Sequence, residues 1–461
     1  MPSPAAEWVI STLHFPSRLT GYSMKILNKK VGKPVKNSKK TVGILACAFL
    51  YSSMYLLPYI KYIFYDAVVA ASGFTNTQIG FCLTVYIIAC IIGTLPSGYI
   101  SDKLSPKKLL VISGVGHAIL SFLYLMFIQN YVITLVIYFG MGITSVLLFW
   151  SPVFKAVSQS GSQEEQGKLY GWFESFNGVG SMVFNFGALW VFARITGGAV
   201  SALKGVGIFY AAMSAVATLM VLFLYRPELA AAADEHKLEE KEKPSTKEIL
   251  AVLKMPRVWL FSLLALGVYG FYAGSSYLTP YFSTVLGISV VFSGSLATIK
   301  NYGTRFVGAP IAGAICDKIG RLKFLVIGFC ITIVLMIAFM LMPPKAGLLV
   351  PIMILMFALA LVNVSMKGIQ FAALDDIGVD PKVNGMAIAI ATLVGYNMPD
   401  MLLHPLFGAI LDANEPIAAY KMIFAVLLGL LVLGLIVTII LMAITKKDKK
   451  KENGKASNKA A

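Results

Sequence analysis

The chain has 461 residues, 57% of them apolar and 13% charged, with a formal net charge of +17. A soluble domain carries about 25% charged residues, so this chain cannot cover a water-facing surface, which excludes a soluble enzyme or nucleic-acid-binding domain. Apolar runs of about 20 residues make lipid its main solvent.

The first segment, 1–40, is polar and basic and reads as a cytoplasmic extension. No short apolar core precedes a small-residue cleavage site, so no cleavable leader is legible, and Met24 is a second candidate start. Six apolar runs follow, roughly at 42–67, 77–99, 108–129, 131–155, 169–193 and 204–225, forming a first bundle over 41–226. Residues 227–256 are charged and form an aqueous linker. Six more runs, roughly 258–284, 288–313, 323–343, 347–372, 385–410 and 420–444, form a second bundle over 257–445. The tail 446–461 is basic, and is expected to be disordered and to touch anionic headgroups. The fold class is an all-α membrane protein with twelve transmembrane helices in two pseudo-symmetric six-helix bundles.

Most of the 39 Lys and Arg residues lie at the two ends, in the middle linker and after even-numbered spans. Arg194, Lys204, Lys345 and Lys421 fall on the other side. Positive residues stay cytoplasmic, so both termini face inward, and a bacterial inner membrane is the expected location. The net charge thus orients the chain, and no nucleic-acid partner is expected. The five cysteines lie in or beside apolar runs without metal-ligand spacing and read as packing residues.

Two stretches repeat a pattern where an apolar run stops: "PSGYISDKLSPKK" at 96–108 and "IAGAICDKIGRLK" at 311–323. In each a Gly precedes an Asp by four residues, and a Lys follows. Gly98 and Gly313 would let helices approach closely. Asp102 and Asp317 would face a helix N-terminus or a basic side chain. Such a cluster can latch two bundles in one state and release them in another. The plainer alternative is an inside-loop marker, which a matched pair in matched halves makes less attractive.

These residues resemble the loop 2–3 signature of the major facilitator superfamily. The second copy fits with Gly313, Asp317, Lys318, Gly320 and Arg321. The first keeps Gly98, Asp102 and Lys103 but has Ser105 and Pro106 where Gly and a base are usual. "EEQGKLYG" at 164–171 is similar to the loop 4–5 element, with Gln166 where Arg is common. The resemblance is strongest to the organic-anion and organophosphate members, including uncharacterised bacterial ones with "GYNMPD" in span 11. It implies two bundles around a cavity that opens alternately to each side. Spans 1, 4, 7 and 10 would line that cavity, spans 2, 5, 8 and 11 would join the bundles, and spans 3, 6, 9 and 12 would face lipid. Cargo does not follow from fold. Phosphate-ester antiporters of this kind place Arg in spans 1 and 7, where this chain has none.

Ionisable residues at bilayer depth each cost ~2.5–3.5 kcal/mol or more and need a reason. Lys300, beside Asn301 in the middle of span 8, is too deep to snorkel and calls for an anionic ligand, a wet cavity or a static ion pair. Lys367, one turn from Asn363 in span 10, faces the expected cavity. Lys61 lies toward the outer end of span 1 and reads as snorkelling to the interface. Glu174 of span 5 and Arg305 of span 8 share a depth and would form an interbundle salt bridge. Asn397, Asp400 and His404 share one face of span 11. A carboxyl and an imidazole one turn apart are candidates for proton coupling, to which Glu174 is added. The static alternative has Asp400 pairing with Lys300 or capping a break at Pro399. His117 reads as a packed residue. Tyrosines 51, 55, 59 and 62 form a stripe, and Tyr272 joins Tyr51 and Tyr55 as a candidate for binding a hydroxylated cargo.

No nucleophile–base spacing, phosphate-cradling loop or metal cluster is legible, so neither an enzyme, a cofactor nor a metal is expected. The first reading is a proton-coupled secondary transporter, by symport, of a small organic anion such as a sugar acid. Two alternatives stand beside it: an exporter of amphipathic drug-like compounds, and a non-transporting sensor on the same scaffold. The partners are the small anionic molecule, protons and the lipid bilayer.

Overall fold

The computed structural model describes residues 37–161, 165–226, 251–379 and 383–460. The basic extension up to residue 36 and most of the 227–256 linker lie outside them. Among the described residues all regular structure is helical, and ten helices are long and apolar enough to cross a membrane.

The first half begins with α1 (Asn37–Met54) and α2 (Lys61–Ser72). These divide what hydropathy reads as one continuous span. Pro58 lacks an N–H and its ring meets the carbonyl four residues back, at Met54, where α1 ends. α3 (Asn76–Lys103) starts at Thr75, whose hydroxyl accepts from Gln78 N while Gln78 reaches back to the Thr75 amide. α4 (Pro106–Met126) follows, then α5 (Tyr131–Gly142), a π-helical turn at Ile143–Leu147, α6 (Trp150–Ser158), α7 (Gln166–Arg194) and α8 (Gly198–Leu224).

The second half holds α9 (Pro256–Gly274), a 3₁₀ turn at Ser275–Tyr277, α10 (Leu278–Thr284) and α11 (Val290–Thr298). A π-helical turn at Ile299–Gly303 leads into α12 (Thr304–Ile319), then α13 (Arg321–Leu341) and α14 (Leu349–Ile369). α15 (Asn384–Thr392) passes through another π-helical turn, Leu393–Asn397, into α16 (Met398–Ala413). α17 runs as one helix over Pro416–Ala460, which corrects the expectation of a disordered tail. Its Lys, Glu and Ala are strong helix formers that extend the span beyond its apolar part.

Each half carries its own apolar core. Phe149, Phe173 and Tyr225 lie buried in the first; Phe261, Phe329 and Tyr420 in the second. Large apolar side chains such as Val132, Trp190, Val334 and Ile354 are exposed, as a lipid-facing surface requires. The halves meet where α3 packs on α16, where α2 packs on α11 and where α11 packs on α7. Among the described residues, the hydrogen bonds joining the halves run from Tyr59 to Asp412, in the part remote from the termini.

The repeated turns lie on the termini face and differ locally. Gly320 adopts φ +89° and turns α12 directly into α13, a conformation that an L side chain resists. In the first copy Ser105 stays extended and caps α4 at Lys108 N, with Pro106 in the first helical turn. The Ser-Pro pair therefore makes the corner without a positive φ. Gly98 corrects an expectation: a Cβ there would meet nothing within 4 Å, so it makes no close helix approach in this structure.

α9 and α17 touch through small residues. A Cβ on Gly267 would lie 2.7 Å from the Gly434 Cα and 3.0 Å from the Leu430 carbonyl. Gly267→Leu is expected to lower the melting temperature by several degrees through a few kcal/mol of overpacking. Differential scanning fluorimetry of the purified protein reads the shift, and an unchanged transition refutes this packing.

Candidate functional site

Two polar clusters lie inside the molecule. The first is cationic and belongs to the second half. Pro280 removes the N–H that would bond the Ser276 carbonyl, and the helix above it loosens into the 3₁₀ turn at Ser275–Tyr277. Lys300 Nζ donates to the Ser275 carbonyl at 2.6 Å and lies 3.4 Å from the Ser275 hydroxyl. Lys300 itself sits in a π-helical turn, a widening that recurs at functional sites. One turn on, Arg305 Nη2 donates to the Tyr272 hydroxyl at 2.9 Å. Lys367 Nζ lies 3.8 Å from the Tyr272 ring centroid and 5.0 Å from that of Tyr269. Tyr269 in turn stacks on Tyr396 at 3.9 Å.

Arg305 and Lys367 thus meet at Tyr272, with Lys300 three residues along at Ser275. Among the described residues no carboxylate comes within 4.0 Å of Lys300, Arg305 or Lys367. Carbonyl, hydroxyl and π-face contacts ease the burial of a cation without neutralising it. The expected Glu174–Arg305 salt bridge is absent. Glu174 is exposed, and Arg305 donates to Tyr272 instead. Asn363 is buried and donates to the Val268 carbonyl at 3.0 Å, so it ties α14 to α9. Asn301 is buried in the same turn as Lys300.

The second cluster crosses between the halves. Asp400 and His404 face one another on α16, with Oδ1 and Nε2 3.6 Å apart and both side chains buried. Tyr269 donates to Asp400 Oδ2 at 2.9 Å and Tyr59 reaches it at 3.5 Å. The Tyr62 hydroxyl is 3.0 Å from His404 Nε2, and the Tyr277 hydroxyl donates to the His404 carbonyl at 3.1 Å. Asp400 Oδ1 and His404 Nδ1 have no hydrogen-bond partner. Asp400 sits inside a continuous helix and pairs with tyrosines rather than with Lys300. Asn397 ends the π-helical turn one helical turn before Asp400. Lys61 corrects the snorkelling expectation: it is 4% exposed and donates to the Tyr277 hydroxyl at 3.5 Å. The break at Pro58 starts a new helix at Lys61, and its side chain turns toward the other half.

Tyr51, Tyr55, Tyr59 and Tyr62 form a continuous ring ladder with centroids 5.0, 6.4 and 5.2 Å apart. Tyr51 also contacts Phe149, Trp150 and Phe173, so the first half offers an aromatic wall. On the termini face, Lys155 pairs with Asp102 at 3.6 Å and donates to the Ser101 carbonyl. Lys103 lies over Tyr99. Arg321 bonds the Ala372 carbonyl at 2.8 Å and approaches Asp376 at 3.7 Å. Gly313 is half-buried and Lys318 exposed, while the Asp317 side chain lies outside the described residues. These contacts stay within one half each.

A helical membrane protein with paired cores, broken spans and buried charges at their breaks has the build of a secondary transporter. The Major Facilitator Superfamily profile matches residues 41–397, and the chain belongs to that family. Inner membrane protein YihN of Escherichia coli (strain K12) is 27% identical over 400 residues, which cover 86% of this chain and 94% of that one. YqcE, another inner membrane protein of the same organism, is 27% identical over 83% of this chain and 89% of its own. A solved bacterial homologue of the human lysosomal transporter Spinster, in an inward-facing and unoccupied conformation, superposes with a TM-score of 0.72. It has 15% identity and covers 90% of this chain and 99% of its own.

Tyr269→Phe removes the shortest hydrogen bond to Asp400. It is expected to cost about 1–3 kcal/mol, the range for leaving a buried polar group without its partner, read as a lower denaturation midpoint in detergent. Unaltered stability would show that the carboxylate does not depend on this hydroxyl.

Proposed function

We propose that this chain is a secondary transporter of a small organic anion, sugar acids being the class best suited, coupled to protons. The two interrupted segments, α1–α2 and α11–α12, complete twelve crossings in two six-helix bundles, with both termini cytoplasmic. The likeness to the two Escherichia coli inner membrane proteins supports a bacterial inner membrane. One observation carries the reading: Arg305 and Lys367 meet at Tyr272, Lys300 lies beside them on Ser275, and among the described residues none has a carboxylate within 4.0 Å. An uncompensated buried cation needs a counter-charge or water, and an anionic cargo supplies one. The hydroxyls of Tyr51, Tyr55 and Tyr59 suit a polyhydroxylated body beside that anionic group.

Asp400 and His404 suit the proton step. Both are buried at the contact between the halves, and each has a ring or carboxylate atom without a hydrogen bond. Alternating access then proceeds by rocking of the halves, and the hydrogen bonds that join them among the described residues, lying away from the termini, correspond to an inward-open state. A lipophilic cation fits poorly beside three cations, which disfavours drug export. A sensor would bind the anion without moving it.

Counterflow in proteoliposomes with glucuronate and related sugar acids tests the reading. Lys367→Ala and Arg305→Ala are each expected to lower anion exchange about 10-fold or more, the loss of one charged hydrogen bond. Asp400→Asn is expected to retain counterflow but lose accumulation driven by a pH gradient. Exchange of lipophilic cations, or anion binding without flux, overturns the proposal.

A further inference from the structure

One contact between the halves takes no part in either polar cluster. Asp412 lies at the end of α16, remote from the termini, and its carboxylate meets the start of α3 in the opposite half. Asp412 Oδ1 accepts from Asn76 N at 2.9 Å and Asn76 Nδ2 at 2.8 Å. Asp412 Oδ2 accepts from Thr77 N at 2.8 Å and the Thr77 hydroxyl at 2.6 Å. The first amides of a helix have no intrahelical acceptor, and the Thr75 hydroxyl already serves Gln78 N. Asp412 takes the two amides which that cap leaves free, and its charge complements the positive end of α3.

The same pair of helices touches at three further levels. A Cβ on Gly408 would lie 2.3 Å from the Asn76 carbonyl, and one on Gly80 would lie 2.3 Å from the His404 carbonyl. Deeper in, the Thr84 hydroxyl donates to the Met401 carbonyl at 2.6 Å. Met401, His404, Gly408 and Asp412 recur at three- or four-residue intervals, so they form one stripe of α16 lying along α3. The stripe includes His404, whose ring meets Tyr62. Moving α16 away from α3 therefore disturbs the buried pair and the outer contact together.

We propose that Asp412 is the outer latch of the transporter, holding the two halves closed on the side away from the termini; this rests on the alternating-access reading above. In the opposite state α16 parts from α3, and water takes over the amides of Asn76 and Thr77. The position suits a repeating gate. Asp412 is exposed, so water replaces its hydrogen bonds as they break and the contact is strong in geometry but modest in net free energy. Glycines at 80 and 408 bring the helices close enough for the carboxylate to reach. Among the described residues, the contacts given above for the termini face each stay within one half.

Hydrogen–deuterium exchange on the full-length protein in nanodiscs tests the latch through two independent variants. Asp412→Ala removes the carboxylate. Gly80→Ala leaves it in place and forces a Cβ against the His404 carbonyl. Both are expected to speed exchange at residues 76–84 about tenfold, a shift of ~1.4 kcal/mol. Both should also slow exchange on the termini face, around 98–106 and 318–324, as that side closes. Faster exchange confined to residues 76 and 77, with the termini face unchanged, would make Asp412 a local cap and overturn the latch. If Asp412→Ala loses protection throughout, Gly80→Ala decides by the same two criteria. A shift as described in a protein that moves no anion leaves the latch standing and removes the cargo reading. Anion flux without the shift removes the latch alone.

Discussion

Positive charge held inside the membrane-spanning core is the constraint around which this molecule is organised. Lys300, Arg305 and Lys367 are met by a carbonyl, a hydroxyl and aromatic faces rather than by carboxylates. Neutral dipoles lower the energy of a buried cation but leave its field uncancelled. The irregular backbone follows from the same requirement. Inside lipid, unpaired carbonyls are tolerated only where another group satisfies them. The 3₁₀ turn after α9 offers the Ser275 carbonyl to Lys300, and the π-helical turn before α12 carries that lysine. The breaks and the charges therefore stabilise one another, and replacing either with an unbroken apolar helix would remove the need for the other.

The two clusters lie on different structural links. The cations belong to one half, so they move as a rigid group. Asp400 and His404 instead meet Tyr59 and Tyr62 across the contact between halves, so their surroundings change when the halves rock. α16 carries that pair and Asp412, and it packs on α3 along its length. A change of charge at Asp400 would thus act on the same helix that closes the outer side. Coupling in this arrangement needs no long pathway, because one rigid element touches both places.

Much of the fold was legible in the sequence because lipid leaves few choices for a backbone. Apolar runs gave the helices, and Gly320 gave a corner that needs a positive φ. Spacing alone put Asp400 and His404 on one face, and depth alone singled out Lys300. The rest depended on which helices meet. Lys61 was misjudged because depth counted along an unbroken helix places it at the interface, whereas the break at Pro58 turns it inward. Glu174 and Arg305 share a depth but not a contact, and depth carries no lateral distance. Asn363 was singled out as a cavity amide, and the Val268 carbonyl that its Nδ2 meets is 95 residues away, a contact no local pattern announces. The Asp412 contact joins residues 336 positions apart, and no local pattern announces it. The C-terminal helix was missed because charge was weighed above intrinsic helix propensity.

The central claim is that the basin around Tyr272 recognises negative charge. Thermal stabilisation of the purified protein by a panel of carboxylates, sulfonates and their neutral isosteres reads that preference directly, since a ligand that binds the native state raises its stability. The account predicts that an anionic member stabilises the protein, that its uncharged isostere does not, and that the effect is lost when Lys300 is replaced by Ala. Stabilisation by neutral or cationic lipophilic compounds, with none from any anion, would contradict it.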